Sequence, residues 1–342
     1  MRTAFLAAAA ALALTLPLAA QEAAKPAYPA PNEIVAAAPP ADWVAIPAED
    51  LLVMTLAPDA KGKPRTVVIQ LMPAPFSQGW VHNIRLFARA RWYDNISVNR
   101  VQDNYVTQWG DPNYDNPEAK GKPKPLPGGL KVMTEKEYTV DVTTSAAAGV
   151  DGALQDEFES LTEQRGRWRE GTDKLPRTGN YADFDSFFEG WPFAGNEDNP
   201  DVWPTHCYGM VGVGRNYSPD TGSGAELYTV IGHAPRHLDR NIALVGRVIE
   251  GMQHLSSLPR GSGALGFYTE EEAGKRTPIL TVRVASDLPP AEQPRFEYLS
   301  TESKTFAAYA EAIANRRDPF FIVPAGGADI CNIRVPVRRA AP

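Results

Sequence analysis

The stretch Trp92–Pro112, WYDNISVNRVQDNYVTQWGDP, constrains this chain most. Asp94-Asn95 is a turn former, and Ile96, Val98 and Val101 follow with the spacing and branching of a strand. Gly110-Asp111-Pro112 closes the segment with turn residues. Arg100 lies inside the strand-like run, with Tyr105 and Gln108 following. A guanidinium there is rigid, permanently charged and rich in donors, so beside apolar walls it can grip a carbonyl or an amide nitrogen. Taken alone, the stretch reads more simply as an ordinary edge arginine on a solvated strand.

The chain around it is built from short strands. Leu51–Leu56 (LLVMTL) and Thr66–Met72 (TVVIQLM) flank the turn Pro58–Arg65 and read as an antiparallel hairpin. In Pro75–Arg91, Trp80, Val81, Ile84 and Phe87 recur at three-to-four spacing, which predicts an amphipathic helix with Ser77 as its cap. Further strands are expected at Lys136–Thr143, Tyr208–Val213, Leu227–Ile231, Ala243–Val248, Pro278–Val284, Phe320–Val323 and Ile330–Val337. Helices are expected at Asp151–Trp168 and Thr305–Arg316. The aromatic cluster Tyr181, Phe184, Phe187, Phe188 and Trp191 reads as cover for a core rather than a groove lining. Many short strands with few helices predict a barrel or a sandwich. Residues 113–205 are too many for a simple loop and read as an insertion with structure of its own.

At 342 residues the chain can bury a sizeable core without a disulfide scaffold. A net charge of −7 and no sustained Lys/Arg stripe argue against a general nucleic-acid binder. Met1-Arg2, the apolar run Ala4–Leu18 and Ala19-Ala20 before Gln21 have the layout of a secretory signal peptide over residues 1–20. The run is short for a span, and nothing else reaches the roughly 18 apolar residues that a span needs. The mature chain is therefore expected to be exported and periplasmic, without a membrane span. An Ala/Pro-rich flexible leader is expected over residues 21–48. Export permits a bridge between Cys207 and Cys331, the only cysteines; two buried thiols fit the sequence equally well.

Other constellations are weak. Gly209–Gly214 lacks the Lys-Ser/Thr and helix of a phosphate loop. The spacing of His206, His233 and His237 fits no metal site. Ser223 lacks the strand–turn–helix setting of a hydrolase nucleophile.

What remains is an ordered pair of blocks. The first runs strand, helix, then YDN, ISVNRV and QWGDP; the second reads GSGAELYTVIG, HLDRN and ALVGRVIEGM. Together these resemble the cyclophilin family of peptidyl-prolyl cis-trans isomerases, over about Leu51–Asp111 and Tyr208–Leu288. The resemblance implies an eight-stranded antiparallel β-barrel with flanking helices across residues 49–290, interrupted by the insertion and followed by a C-terminal extension, residues 291–342. It implies no cofactor and no metal, and as partners unfolded or extended proline-containing polypeptides. Oligomeric state is left open.

By motif, Arg100 falls on the family's catalytic arginine, Tyr105 on the aromatic flooring the proline pocket and Gln108 on the glutamine beside it. Val106 stands where Met is usual; Tyr228 and Leu238 fall on a second pocket aromatic and a pocket leucine. The chain departs from the pattern at Glu226 in place of a second glutamine, His237 in place of Trp and Ile242 in place of His. Trp109 replaces a turn glycine and would have to accept whatever dihedrals that glycine used. The implied activity is rotation about X–Pro bonds of exported proteins. Glu226 and Ile242 favour a rival reading, a peptide-holding barrel with little turnover, while the retained Arg100, Tyr105 and Gln108 favour the enzyme.

Overall fold

The computed structural model describes residues 28–114, 119–145, 152–169 and 181–340. The expected signal peptide and the first part of the leader lie outside the described residues. The strands in chain order are β1 (Trp43–Ala45), β2 (Leu51–Leu56), β3 (Arg65–Leu71), β4 (Ile96–Val101), β5 (Val106–Gly110), β6 (Val140–Asp141), β7 (Phe184–Phe188) and β8 (Trp191–Asn196). They continue with β9 (Asn199–Pro204), β10 (Met210–Val213), β11 (Leu227–Val230), β12 (Leu244–Glu250), β13 (Pro278–Val284), β14 (Phe296–Leu299) and β15 (Val337–Arg339). The helices are α1 (Pro31–Ala36), α2 (Gln78–Arg89), α3 (Val142–Ser145), α4 (Ala153–Arg169), α5 (Gln253–Ser256) and α6 (Lys304–Ala314).

Eight strands close into an antiparallel barrel in the order β10-β11-β5-β4-β13-β2-β3-β12. Closure removes the open edges that would otherwise invite pairing with another chain. In β2, Leu52, Met54 and Leu56 face the main core, while Leu51 packs outward with Val68, Ala285 and Phe296. Both faces are covered, which is why LLVMTL reads as a continuous apolar run rather than an alternation. α2 buries Trp80, Val81, Ile84, Phe87 and Ala88 on one face. Each such large apolar side chain contributes roughly 1.5–3 kcal/mol by leaving water. Ser77 does stand at the N-cap position, but with φ 55° and no side-chain cap bond, so the capping expectation fails.

The outer cover of β2 comes from both ends of the described chain. β1 pairs with β14, and β14 with β15, in a three-stranded sheet. The leader was expected to be flexible through residue 48; instead, its described part holds α1, β1 and the buried Trp43. Its apolar residues are sparse and lack a period, so the packing partner, which lies some 250 residues away, leaves no local signal. The tail differs from expectation too. Phe320–Val323 forms no strand and is exposed, and Ile330–Val337 holds a short 3₁₀ turn, with β15 beginning only at its end.

The insertion contains a second sheet of order β6-β9-β8-β7. The expected strand Lys136–Thr143 begins in a 3₁₀ turn and ends in α3, with only Val140–Asp141 paired. Phe184, Phe188, Trp191 and Phe193 are buried in the main core, so the aromatic cluster does serve as cover. Arg247 of β12 ties sheet to barrel, donating to the Gly190 carbonyl at 2.7 Å and stacking 4.4 Å from the Trp191 ring. Cys207 and Cys331 form a disulfide with Cα atoms 5.0 Å apart, joining the C-terminal extension to the segment before β10.

Candidate active site

Register builds the site. In antiparallel pairing, residues directly opposite share one face of the sheet. Arg100 of β4 stands opposite Gln108 of β5, Gln108 opposite Tyr228 of β11, and Tyr228 opposite Gly212 of β10. A bulge between Val98 and Arg100 resets the alternation, so that Val98 stays in the core while Arg100 joins this row. The row runs across four adjacent strands on the outer face. A Cβ on Gly212 would stand 2.4 Å from the Tyr228 ring, so glycine is what lets that ring lie against β10.

These side chains open onto a groove of about 810 Å³. Arg100, Tyr105, Val106, Gln108, Glu226, Tyr228, Leu238 and Ile242 all line it. His237 does not; it lies beside Tyr105, its ring roughly parallel with centroids 6.4 Å apart. Its 3₁₀ turn, Arg236–Leu238, aims Leu238 into the groove and leaves His237 exposed at the rim. Val106, Tyr228 and Val230 form a small buried cluster with Tyr105 and Ile242 packed on it, which makes the groove floor apolar.

Arg100 is held from three sides. Its Nε donates to the Leu265 carbonyl at 2.6 Å, one Nη to Gln108 Oε1 at 3.1 Å and the other to Gln102 Oε1. The guanidinium lies 5.6 Å from the Tyr105 ring centroid and 5.5 Å from that of Phe267. Burial pushes Arg100 below its ordinary pKa. Of the five N–H groups of a guanidinium, three are used in these bonds, which leaves two for a ligand. Gln108 Nε2 in turn donates to Glu226 Oε2 at 3.3 Å.

Leu265 and Phe267, which no sequence motif singles out, also line the groove. Their segment runs beside β4, with Arg100 and Phe267 bridged and Tyr268 N donating to the Asn99 carbonyl at 3.0 Å. No periodicity marks it. Gly214, Arg215, Asn216 and Tyr217, and Ala119 from the insertion, complete the lining. Trp109, which stands at the pattern's turn glycine, is an ordinary residue of β5, buried in the core and without left-handed backbone. Among the described residues no group of three or more His, Cys, Asp or Glu could hold a metal.

The sequence profile described as "Cyclophilin type peptidyl-prolyl cis-trans isomerase/CLD" matches residues 65–285. This chain belongs to that family. It is an enzyme of the peptidyl-prolyl isomerase class, and the closed eight-stranded barrel is the fold of a cyclophilin. Among solved structures, the cyclophilin AquaCyp293 from Hirschia baltica matches 84% of this chain and 94% of its own at 16% identity, with a TM-score of 0.51. A cyclophilin-type isomerase from Cryptosporidium parvum matches 68% of this chain and 96% of its own at 10% identity, TM-score 0.34. No curated protein matches the sequence. The cyclophilin family binds proline-containing peptides, and no described helix here is long and apolar enough to cross a membrane.

Proposed function

We propose that this cyclophilin isomerises X–Pro bonds of exported proteins as they fold, with Arg100 as the catalytic group. The observation that carries the reading is the row Arg100–Gln108–Tyr228 at the floor of one groove. An X–Pro bond keeps partial double-bond character, and rotation faces a barrier of roughly 18–20 kcal/mol. Cis and trans differ little in energy, yet exchange takes tens of seconds or more. A catalyst must therefore stabilise the twisted amide more than either planar form. Tyr105, Val106, Tyr228, Leu238 and Ile242 supply an apolar seat for the prolyl ring. Gln108 holds the substrate backbone. Arg100 donates toward the prolyl nitrogen as it becomes pyramidal, using N–H groups that its protein partners do not take. The insertion extends the groove rim through Ala119.

Export is supported by the signal-like N-terminus and by the disulfide, a bond that persists in oxidising compartments. It is tested by following processing near Ala20 and fractionation of the tagged protein. A mature chain retained with the cytosolic fraction would contradict it. The weaker alternative, peptide holding without turnover, draws on Glu226 and Ile242. Peptide-induced shifts in NMR spectra without faster cis–trans exchange would favour it.

A further inference from the structure

Behind the groove lies a chain of four side chains whose polar groups the isomerase mechanism does not use. His206, Tyr228, Arg236 and Asp239 are each at most 5% exposed. His206 Nδ1 lies 2.8 Å from Asp239 Oδ1, and its Nε2 lies 3.0 Å from the Tyr228 hydroxyl. The backbone N–H of His206 also donates to Asp239 Oδ1, at 2.9 Å. Arg236 Nε donates to the other carboxylate oxygen at 2.6 Å. Ionised beside Arg236, the Asp239 carboxylate accepts from Nδ1–H, so Nε2 is left as the acceptor for the Tyr228 O–H.

A buried hydroxyl without a partner is costly, and a phenyl ring would have filled the same space without needing one. The chain instead devotes three further buried polar side chains to that hydroxyl. They come from separate segments: His206 precedes β10, Tyr228 lies on β11, and Arg236 opens and Asp239 caps the 3₁₀ turn that holds Leu238. The network thus cross-links the two groove walls, Tyr228 and the turn that presents Leu238. Gly212 allows the ring to lie against β10 from its other side.

We propose that His206 is a positioning residue, locking the Tyr228 ring and the Leu238 turn in register as the two walls of the prolyl seat. This deepens the isomerase reading and rests on it. Tyr228 is the residue that touches substrate; His206 acts through it.

The test compares wild type, His206→Leu, His206→Gln, Tyr228→Phe and the double variant His206→Leu/Tyr228→Phe. Two readouts are taken: turnover of a short X–Pro peptide and the flip rate of the ring at position 228 by aromatic NMR. His206→Leu is expected to lower turnover about fivefold, as for residues coupled within one hydrogen-bond network, and to speed ring flips. His206→Gln, which can still offer an acceptor, is expected to recover most of the loss. In the Tyr228→Phe background, which has no hydroxyl to hold, His206→Leu is expected to cost less than about twofold. An equal loss in both backgrounds, or slow flips and full turnover in His206→Leu, overturns the proposal. If His206→Leu does not fold, His206→Gln carries the test: wild-type-like flips support the proposal, and fast flips with undiminished turnover overturn it. A wild type that neither turns over nor binds peptide would sink the isomerase reading instead, and the ring-flip comparison would still decide whether His206 holds Tyr228.

Discussion

Arg100 and Gln108 face each other across the β4–β5 pair, and the guanidinium donates to the amide oxygen at 3.1 Å. The other end of the same amide donates to Glu226 at 3.3 Å. A carboxylate offers only acceptors and a guanidinium only donors, so the two partners fix which way the Gln108 amide points. The unusual glutamate thereby orients the residue that contacts Arg100. Replacing Gln108 by Glu sets two carboxylates side by side. That variant is expected to lose about 1–3 kcal/mol of stability, the usual cost of a spoiled buried polar contact. The double swap, Gln108→Glu with Glu226→Gln, restores complementary partners and is expected to regain most of that loss. Urea denaturation of the three proteins measures it; a double variant no better than the single one would contradict the arrangement.

Gly212 lies where a Cβ would come 2.4 Å from the Tyr228 ring. Its backbone is ordinary strand, so Gly212→Ala acts through the ring and not through dihedral strain. Overpacking of this kind costs roughly 1–3 kcal/mol. The expected outcome is weaker proline-peptide binding with the barrel intact, read by titration NMR together with circular dichroism. Unchanged affinity would mean that the ring yields without affecting the groove.

The Cys207–Cys331 bridge closes a span of 124 residues. Constraining so long a loop in the unfolded chain is worth about 2–5 kcal/mol. Cys331→Ser is expected to lower the denaturation midpoint accordingly. The penalty should vanish when wild type and variant are compared under reducing conditions that open the bridge.

Acid should destabilise the protein through His206. Burial holds its pKa below the ordinary value, outweighing the pull of Asp239 toward the charged form. The unfolded ring takes up a proton near about pH 6.5 and the folded ring only at lower pH. Below that point the unfolded state binds more protons, so stability falls as pH drops, by up to about 1.4 kcal/mol per unit. For Asp239, burial raises the pKa but the bonds and charges of His206 and Arg236 outweigh it, so the net direction is down. Its contribution is lost only at still lower pH, as the carboxyl protonates. His206→Gln is expected to flatten the slope below about pH 6.5 in urea midpoints. A slope equal to wild type would contradict the buried neutral ring.

The barrel strands were legible because β-branched and apolar runs sit between turn formers, as in Leu51–Leu56 and Pro278–Val284. The groove residues were legible by motif, since Arg100, Tyr105, Gln108 and Tyr228 keep the family's order. Other features depend on tertiary contact and leave no local pattern. β1 pairs across the whole chain with β14. The Leu265–Phe267 segment reaches Arg100 from more than 160 residues away. His206 looked like a scattered histidine, because its partners Tyr228 and Asp239 gather only in the fold.

In the proposed mechanism Arg100 stabilises the rotating prolyl amide. The direct test is cis–trans exchange of a short X–Pro peptide, followed by NMR with wild type and with Arg100→Ala. Removing a preorganised donor of this kind typically costs about 100-fold or more in rate. Rapid exchange is expected with wild type and a loss of that order in the variant, whose fold is expected to be intact by circular dichroism. Equal acceleration by both folded proteins would contradict it.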